Sequence, residues 1–118
     1  MAVKIKRIYE QVSDDDGLRV LVDRIWPRGV SKEQAALDEW FKEIGPSDDL
    51  RKWFNHEDDK FEQFTKEYRQ ELQTGKQKAS YDQLKELQKQ HSDMTLLFGA
   101  KNESCNQAVV LQEMLEGK

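Results

Sequence analysis

The chain has 118 residues, hydrophobic and charged fractions both at 36%, and a net charge of −4. That length predicts one domain over residues 1–118, and three tryptophans with five phenylalanines are too much aromatic mass for a disordered chain. The negative balance opposes bulk attraction to nucleic acid or anionic lipid, although 19 lysines and arginines still allow a local basic patch.

The N-terminus, Met1-Ala2-Val3-Lys4-Ile5-Lys6, alternates apolar and basic residues and holds no continuous apolar run of the kind a secretory leader needs. No stretch approaches the length of a membrane span. The expectation is a cytoplasmic protein with no membrane partner. Residues 3–9 read as a half-exposed strand near a sheet edge. Ser13-Asp14-Asp15-Asp16-Gly17 is a turn whose Asp-Gly step predicts an antiparallel hairpin into the next strand. That strand runs from Leu18 to Ile25 around Val20-Leu21-Val22, an unbroken β-favouring run of the sort buried on both faces. Trp26-Pro27 ends it, because proline has no N–H for a ladder.

Ser31 with Gln34 forms a capping box. Leu37, Trp40, Phe41 and Ile44 follow at helical spacing, which predicts one helix up to Gly45-Pro46. Ser47 caps a short helix carrying Leu50, Trp53 and Phe54. A third helix starts near Asp58, places Phe61, Phe64, Tyr68 and Leu72 on one stripe, and is expected to stop at Gly75. Residues 75–80 read as the most loop-like stretch, and Ser80 with Gln83 as the capping box of a polar helix. Met94 to Ala100 contains Leu96-Leu97-Phe98, a second continuous apolar run and a second central strand. Ser104 with Gln107 reads as a further capping box, opening a helix through Ala108, Leu111, Met114 and Leu115.

Two strands buried on both faces and separated by helices predict an α/β fold. It is a small sheet with a parallel central strand pair and helices packed on its faces. Three strands are few for a doubly wound sheet, so the exact topology stays open.

Ligands of open parallel sheets bind beyond the carboxyl ends of the strands. That rule sets the loop from Asp23 to Lys32 beside the loop Gly99-Ala100-Lys101-Asn102. Arg24, Arg28, Lys32 and Lys101 would then converge near the helix start at Ser104, with Asn102 and Asn106 beside it and Trp26 as a flat stacking surface. Gly29 would allow a tight turn. Arginine forks bind two oxygens of a phosphate or carboxylate at once, so a small anionic ligand is the expected partner. The same residues also have plain structural uses: Asp23 paired with an arginine, Trp26 filling a core gap, Arg28 and Lys32 merely exposed.

Cys105, read at the first turn of a helix, is a candidate nucleophile or redox thiol. The residues after it, Asn106-Gln107-Ala108-Val109, supply no arginine for a phosphatase-type loop, which favours a spectator thiol. His56 is a candidate general base, or a cap on helix carbonyls. His91 reads as surface. The acidic clusters Asp14-Asp15-Asp16 and Glu57-Asp58-Asp59 lack the EF-hand pattern, and no metal site is read. No dinucleotide, P-loop or zinc motif points to a cofactor, which stays unknown. If the chain is an enzyme, transfer or hydrolysis on an anionic substrate is the expected class. The alternative is a non-catalytic module that binds protein or nucleic acid through Trp26, Arg28, Lys32, Arg51 and Lys52, with nucleic acid disfavoured by the net charge. A homo-oligomer anchored by an exposed tryptophan is a third option.

The segment Gly17-Leu18-Arg19-Val20-Leu21-Val22-Asp23-Arg24-Ile25-Trp26-Pro27-Arg28-Gly29 carries a resemblance over nearly the whole chain. Leu37-Asp38-Glu39-Trp40, Pro46-Ser47, Leu50-Arg51-Lys52, Leu96-Leu97, Ala100-Lys101-Asn102 and Asn106 share in it. Together they resemble the YeaO-like family of bacterial proteins, a domain of unknown function. The resemblance implies a small cytosolic bacterial protein and no established activity. Family members commonly show Asn-His-Ala where this chain has Asn106-Gln107-Ala108. A general acid/base role of that histidine would be missing here, while glutamine keeps a hydrogen-bonding role.

Overall fold

A computed structural model describes residues 2–117. Four parallel strands form one sheet: β1 (Ala2–Arg7), β2 (Leu18–Leu21), β3 (Glu39–Trp40) and β4 (Asp93–Phe98), in the spatial order β1-β4-β2-β3. Five helices surround it: α1 (Lys32–Ala35), α2 (Asp48–Phe54), α3 (Phe61–Glu71), α4 (Gly75–Gln90) and α5 (Gln107–Leu115). The two apolar runs are adjacent parallel strands, with Val20 opposite Leu96 and Leu21 opposite Leu97. No helix among the described residues is long and apolar enough to cross a membrane.

Alternation along these strands divides the core. Val20, Val22, Leu96 and Phe98 face a large cluster with Phe54, Phe64, Tyr68, Leu84 and Leu111, supplied by the helices. Leu21 and Leu97 face the other way, into a smaller cluster with Ile8 and Ala35, against which Trp26, Val30 and Leu37 pack. Both faces of β2 and β4 are therefore dry, as their continuous apolar sequence requires.

The structure corrects several local expectations, and the second strand ends at Leu21 rather than running to Ile25. No hairpin joins β1 to β2, because β4 lies between them and both pair with it in parallel. The turn at Asp14–Asp16 instead belongs to a short crossover. Its Asp16 is buried and bonds Lys6 and Arg19, while Gly17, at φ 64°, presses against the backbone of Asp93. The helix expected through Ile44 stops at Ala35. Ala36 takes a left-handed conformation, and Glu39–Trp40 add a fourth strand to the edge of β2. The Ser31–Gln34 capping box itself is present.

Gly75 opens α4 rather than closing α3, which is capped at Leu72. Residues 75–80 are helical, so Ser80 lies inside α4. Finally, α5 is capped by Asn106, whose side chain accepts the Val109 N–H at 3.1 Å, and not by Ser104.

Candidate functional site

Val22 keeps the extended course of β2, donating its N–H to Leu97 at 3.0 Å, and the chain then leaves the sheet at Asp23. Asp23 is held from three sides. Its Oδ2 accepts the Gly99 N–H at 2.8 Å, its Oδ1 accepts the side-chain amide of Gln107, and its carbonyl accepts Trp40 Nε1 at 2.7 Å. The carboxyl thus ties the ends of β2 and β4 to the first residue of α5. Burial lifts its pKa from 3.8 to about 6, against the opposing pull of the Gly99 and Gln107 bonds.

Asp23 lines a cavity of about 250 Å³ beyond the strand ends. The apolar wall is Phe54 and Phe64, stacked at 4.4 Å between ring centroids, with Ile25 and Pro46 alongside. Arg24 and Arg51 are the cationic side chains of the lining. Arg24 donates Nε to the Pro46 carbonyl at 3.1 Å and Nη2 to the Gly45 carbonyl at 2.9 Å, so the loop before α2 positions its fork. Arg51 pairs through Nη2 with Asp48 at 3.0 Å, an exposed i,i+3 pair of a kind that holds weakly. His56, Gly99, Ala100, Cys105, Asn106 and Gln107 complete the lining.

Of the candidate site residues named from sequence, Arg24, Asn106, His56 and Cys105 line this cavity, as does Arg51 of the alternative module, while Trp26, Arg28, Lys32, Lys52, Lys101, Asn102 and Ser104 do not. Trp26 packs on the smaller core, donates Nε1 to the Val30 carbonyl at 2.7 Å and meets Trp40 edge-on at 5.2 Å. Arg28 is exposed, and its carbonyl accepts the Tyr9 hydroxyl at 2.9 Å. Lys32 is the exposed first residue of α1, and Lys101 is exposed on the loop after β4. Asn102 organises that loop: its Oδ1 accepts the N–H groups of Ser104 and Cys105 at 2.8 and 3.0 Å, and its Nδ2 donates to Asp58 at 2.8 Å.

Cys105 precedes the cap of α5 instead of lying in its first turn. Burial and the nearby Asp58 raise its thiol above the ordinary range, the reverse of what thiolate chemistry needs. His56 is exposed, with a left-handed backbone at φ 57° directly after Asn55 at φ 46°. Among the described residues, no group of three or more His, Cys, Asp and Glu side chains is placed to hold a metal ion.

The contact that sequence reasoning missed is Gln107 on Asp23, across 84 positions. A family model described as the inactive DUF488-N3 subclade matches residues 2–118. The chain belongs to that family, and it is YeaO-like. It is 43% identical over 115 residues to the uncharacterized protein YeaO of Escherichia coli (strain K12), covering 98% of this chain and 97% of the relative. It is 35% identical over 116 residues to an uncharacterized protein of Mycobacterium tuberculosis (strain ATCC 25618 / H37Rv), covering 98% and 95%. No solved structure matches the chain at a significant level. Position 107, where the resemblance expects histidine, holds the glutamine that bonds Asp23. A carboxamide neither gains nor loses charge near neutral pH, so the Asp23–Gln107 pair can position groups, and residue 107 cannot act there as a general acid or base.

Proposed function

We propose that this protein binds a small anionic ligand, bearing a phosphate or carboxylate, in the cavity at the ends of β2 and β4, and holds it without chemical change. The observation that carries this reading is the presence of two guanidinium groups, Arg24 and Arg51, on one concave wall backed by Phe54 and Phe64. Guanidinium forks match carboxylate and phosphate oxygens, and apolar walls strengthen such pairing by excluding water. The binding-only part is supported by the raised Cys105 thiol, by glutamine at 107, and by the family's description as inactive.

The test is a thermal-shift panel of inorganic phosphate, sugar phosphates, nucleotides and carboxylates on wild type, Arg51→Ala and Arg28→Ala. A ligand that binds only the folded state at about 100 times its Kd adds about 2.7 kcal/mol. Stabilisation that survives Arg28→Ala and is lost in Arg51→Ala supports the assignment. Equal shifts in all three proteins, or none with any ligand, would falsify it.

A further inference from the structure

The cavity that holds the two guanidinium groups also holds Asp23. A bare anion seated near both arginines would lie close to a carboxylate that repels it. Asp23 could be neutralised by an arginine, but neither Arg24 nor Arg51 bonds it: Arg24 donates Nε and Nη2 to the Pro46 and Gly45 carbonyls and Arg51 donates Nη2 to Asp48, which leaves each guanidinium further N–H donors for a ligand. The partners of Asp23 are a backbone N–H and an amide, one on each oxygen. Each carboxylate oxygen accepts about two hydrogen bonds, so each keeps acceptor capacity at the cavity wall. The site therefore asks for two things of one molecule, negative charge for the arginines and hydrogen-bond donors for Asp23.

We infer that the ligand is a phosphorylated or carboxylated polyol, such as a small sugar phosphate, whose anionic group pairs with Arg51 and Arg24 while its hydroxyls donate to Asp23. Hydroxyl donors fit better than an ammonium group, because Arg24 lies on the same wall and repels a second cation. The volume, about 250 Å³, suits a molecule of this size and has room for more than a lone oxyanion. This inference rests on the anion-binding reading above and adds the second half of the ligand. It makes Asp23 a specificity-determining residue. It also gives a reason for a carboxyl to sit where burial works against its charge: a bound polyol returns the hydrogen bonds that desolvation removed.

The other titratable groups around Asp23 are Arg24, Arg51, His56 and Cys105 on the cavity lining and Tyr68 behind it in the core. The Tyr68 hydroxyl is buried and raised well above its ordinary value. His56 is the other ionisable side chain of the lining besides Cys105 and the arginines, so His56→Gln is the control that separates its contribution from that of Asp23.

The experiment compares glycerol phosphate, propyl phosphate and phosphoethanolamine by calorimetry. The first two share size and charge and differ in two hydroxyls. Wild type and His56→Gln are expected to bind glycerol phosphate at least tenfold tighter than propyl phosphate at pH 7.5. The preference should shrink toward unity at pH 5, where Asp23 is protonated, and at pH 7.5 in Asp23→Asn. The pH series on wild type carries the test even if Asp23→Asn does not fold. Equal binding of glycerol and propyl phosphate overturns the polyol inference and leaves the anion reading standing. Tighter binding of phosphoethanolamine than of glycerol phosphate overturns it in favour of an ammonium donor. A preference that persists in folded Asp23→Asn removes Asp23 from recognition. No binding of any of the three, with none of inorganic phosphate, sinks the anion reading itself.

Discussion

The carboxylate of Asp23 accepts the backbone N–H of Gly99 at 2.8 Å, joining the C-terminal ends of β2 and β4 across the mouth of the cavity. The two strands are neighbours in the sheet, so this bond fixes the geometry at the point where both chains turn away from it. Its cost is electrostatic, because the carboxyl is taken out of water without a cationic partner.

That cost predicts a pH signature. The folded-state pKa of Asp23, about 6, lies above its ordinary 3.8, so between those values the folded protein binds more protons than the unfolded chain. Stability attributable to this group is then highest below 3.8 and falls as pH rises through 6. A shift of about two units corresponds to at most about 3 kcal/mol. Asp23→Asn, which keeps an acceptor for Gly99, is expected to exceed wild type in stability at pH 7.5. The gap should close toward pH 4. Urea unfolding of both proteins across that range measures it, and a gap independent of pH would contradict the account.

Asp16 has the opposite sign. Burial pushes its pKa up, but the Ser13 N–H, Lys6 and Arg19 together pull it below 3.8. Its contribution is complete above 3.8 and drains away as pH falls through the lowered value. Arg19, buried and also bonded to the Ala35 carbonyl at 2.8 Å, loses its counter-charge in Asp16→Asn. Breaking a buried pair from one side costs about 3–5 kcal/mol. A loss under 1 kcal/mol in denaturant unfolding would show that the pair is dispensable.

Gly17 is set by close packing as well as by φ. A Cβ there would lie 2.4 Å from the Asp93 carbonyl oxygen, and the backbone stands at φ 64°. Gly17→Ala should cost about 3 kcal/mol from strain and overlap together, lowering the thermal midpoint. Gly29 has open space around its Cβ direction, so Gly29→Ala bears only the left-handed penalty and should cost about 1 kcal/mol. Equal losses in the two variants would refute the packing argument.

Cys105 should alkylate slowly. With its thiol raised by burial and Asp58, iodoacetamide at pH 7.5 is expected to react no faster than with free cysteine, and Cys105→Ser should keep ligand-induced stabilisation. Rapid, pH-independent modification would reveal a thiolate.

The central strands were legible because burial on both faces leaves a direct mark: Val20-Leu21-Val22 and Leu96-Leu97-Phe98 are apolar without a break. The short third strand left no such mark. Leu37, Trp40, Phe41 and Ile44 fall at helical spacing by coincidence, and what makes Glu39–Trp40 a strand is the free edge of β2, a partner 19 positions away in the Val20–Glu39 pairing. Ser80 and Ser104 imitate capping residues, yet the side chain that caps α5 is that of Asn106. At the site, the strand-end rule located the cavity's position and Arg24. It could not find Arg51, Phe54 or the Asp23–Gln107 contact, since those depend on how α2 and α5 dock over the strand ends. The one sequence signal for Gln107 was its departure from the resembling family's histidine.

The measurement closest to the central claim is amide and arginine side-chain NMR during a titration with glycerol phosphate. Shifts are expected to concentrate at Gly99, Ala100, Gln107 and the Arg51 and Arg24 Nε–H groups, with Arg28 and Lys101 little changed. Shifts centred on Arg28 and Lys101, or no shifts at all up to millimolar ligand, would contradict that claim.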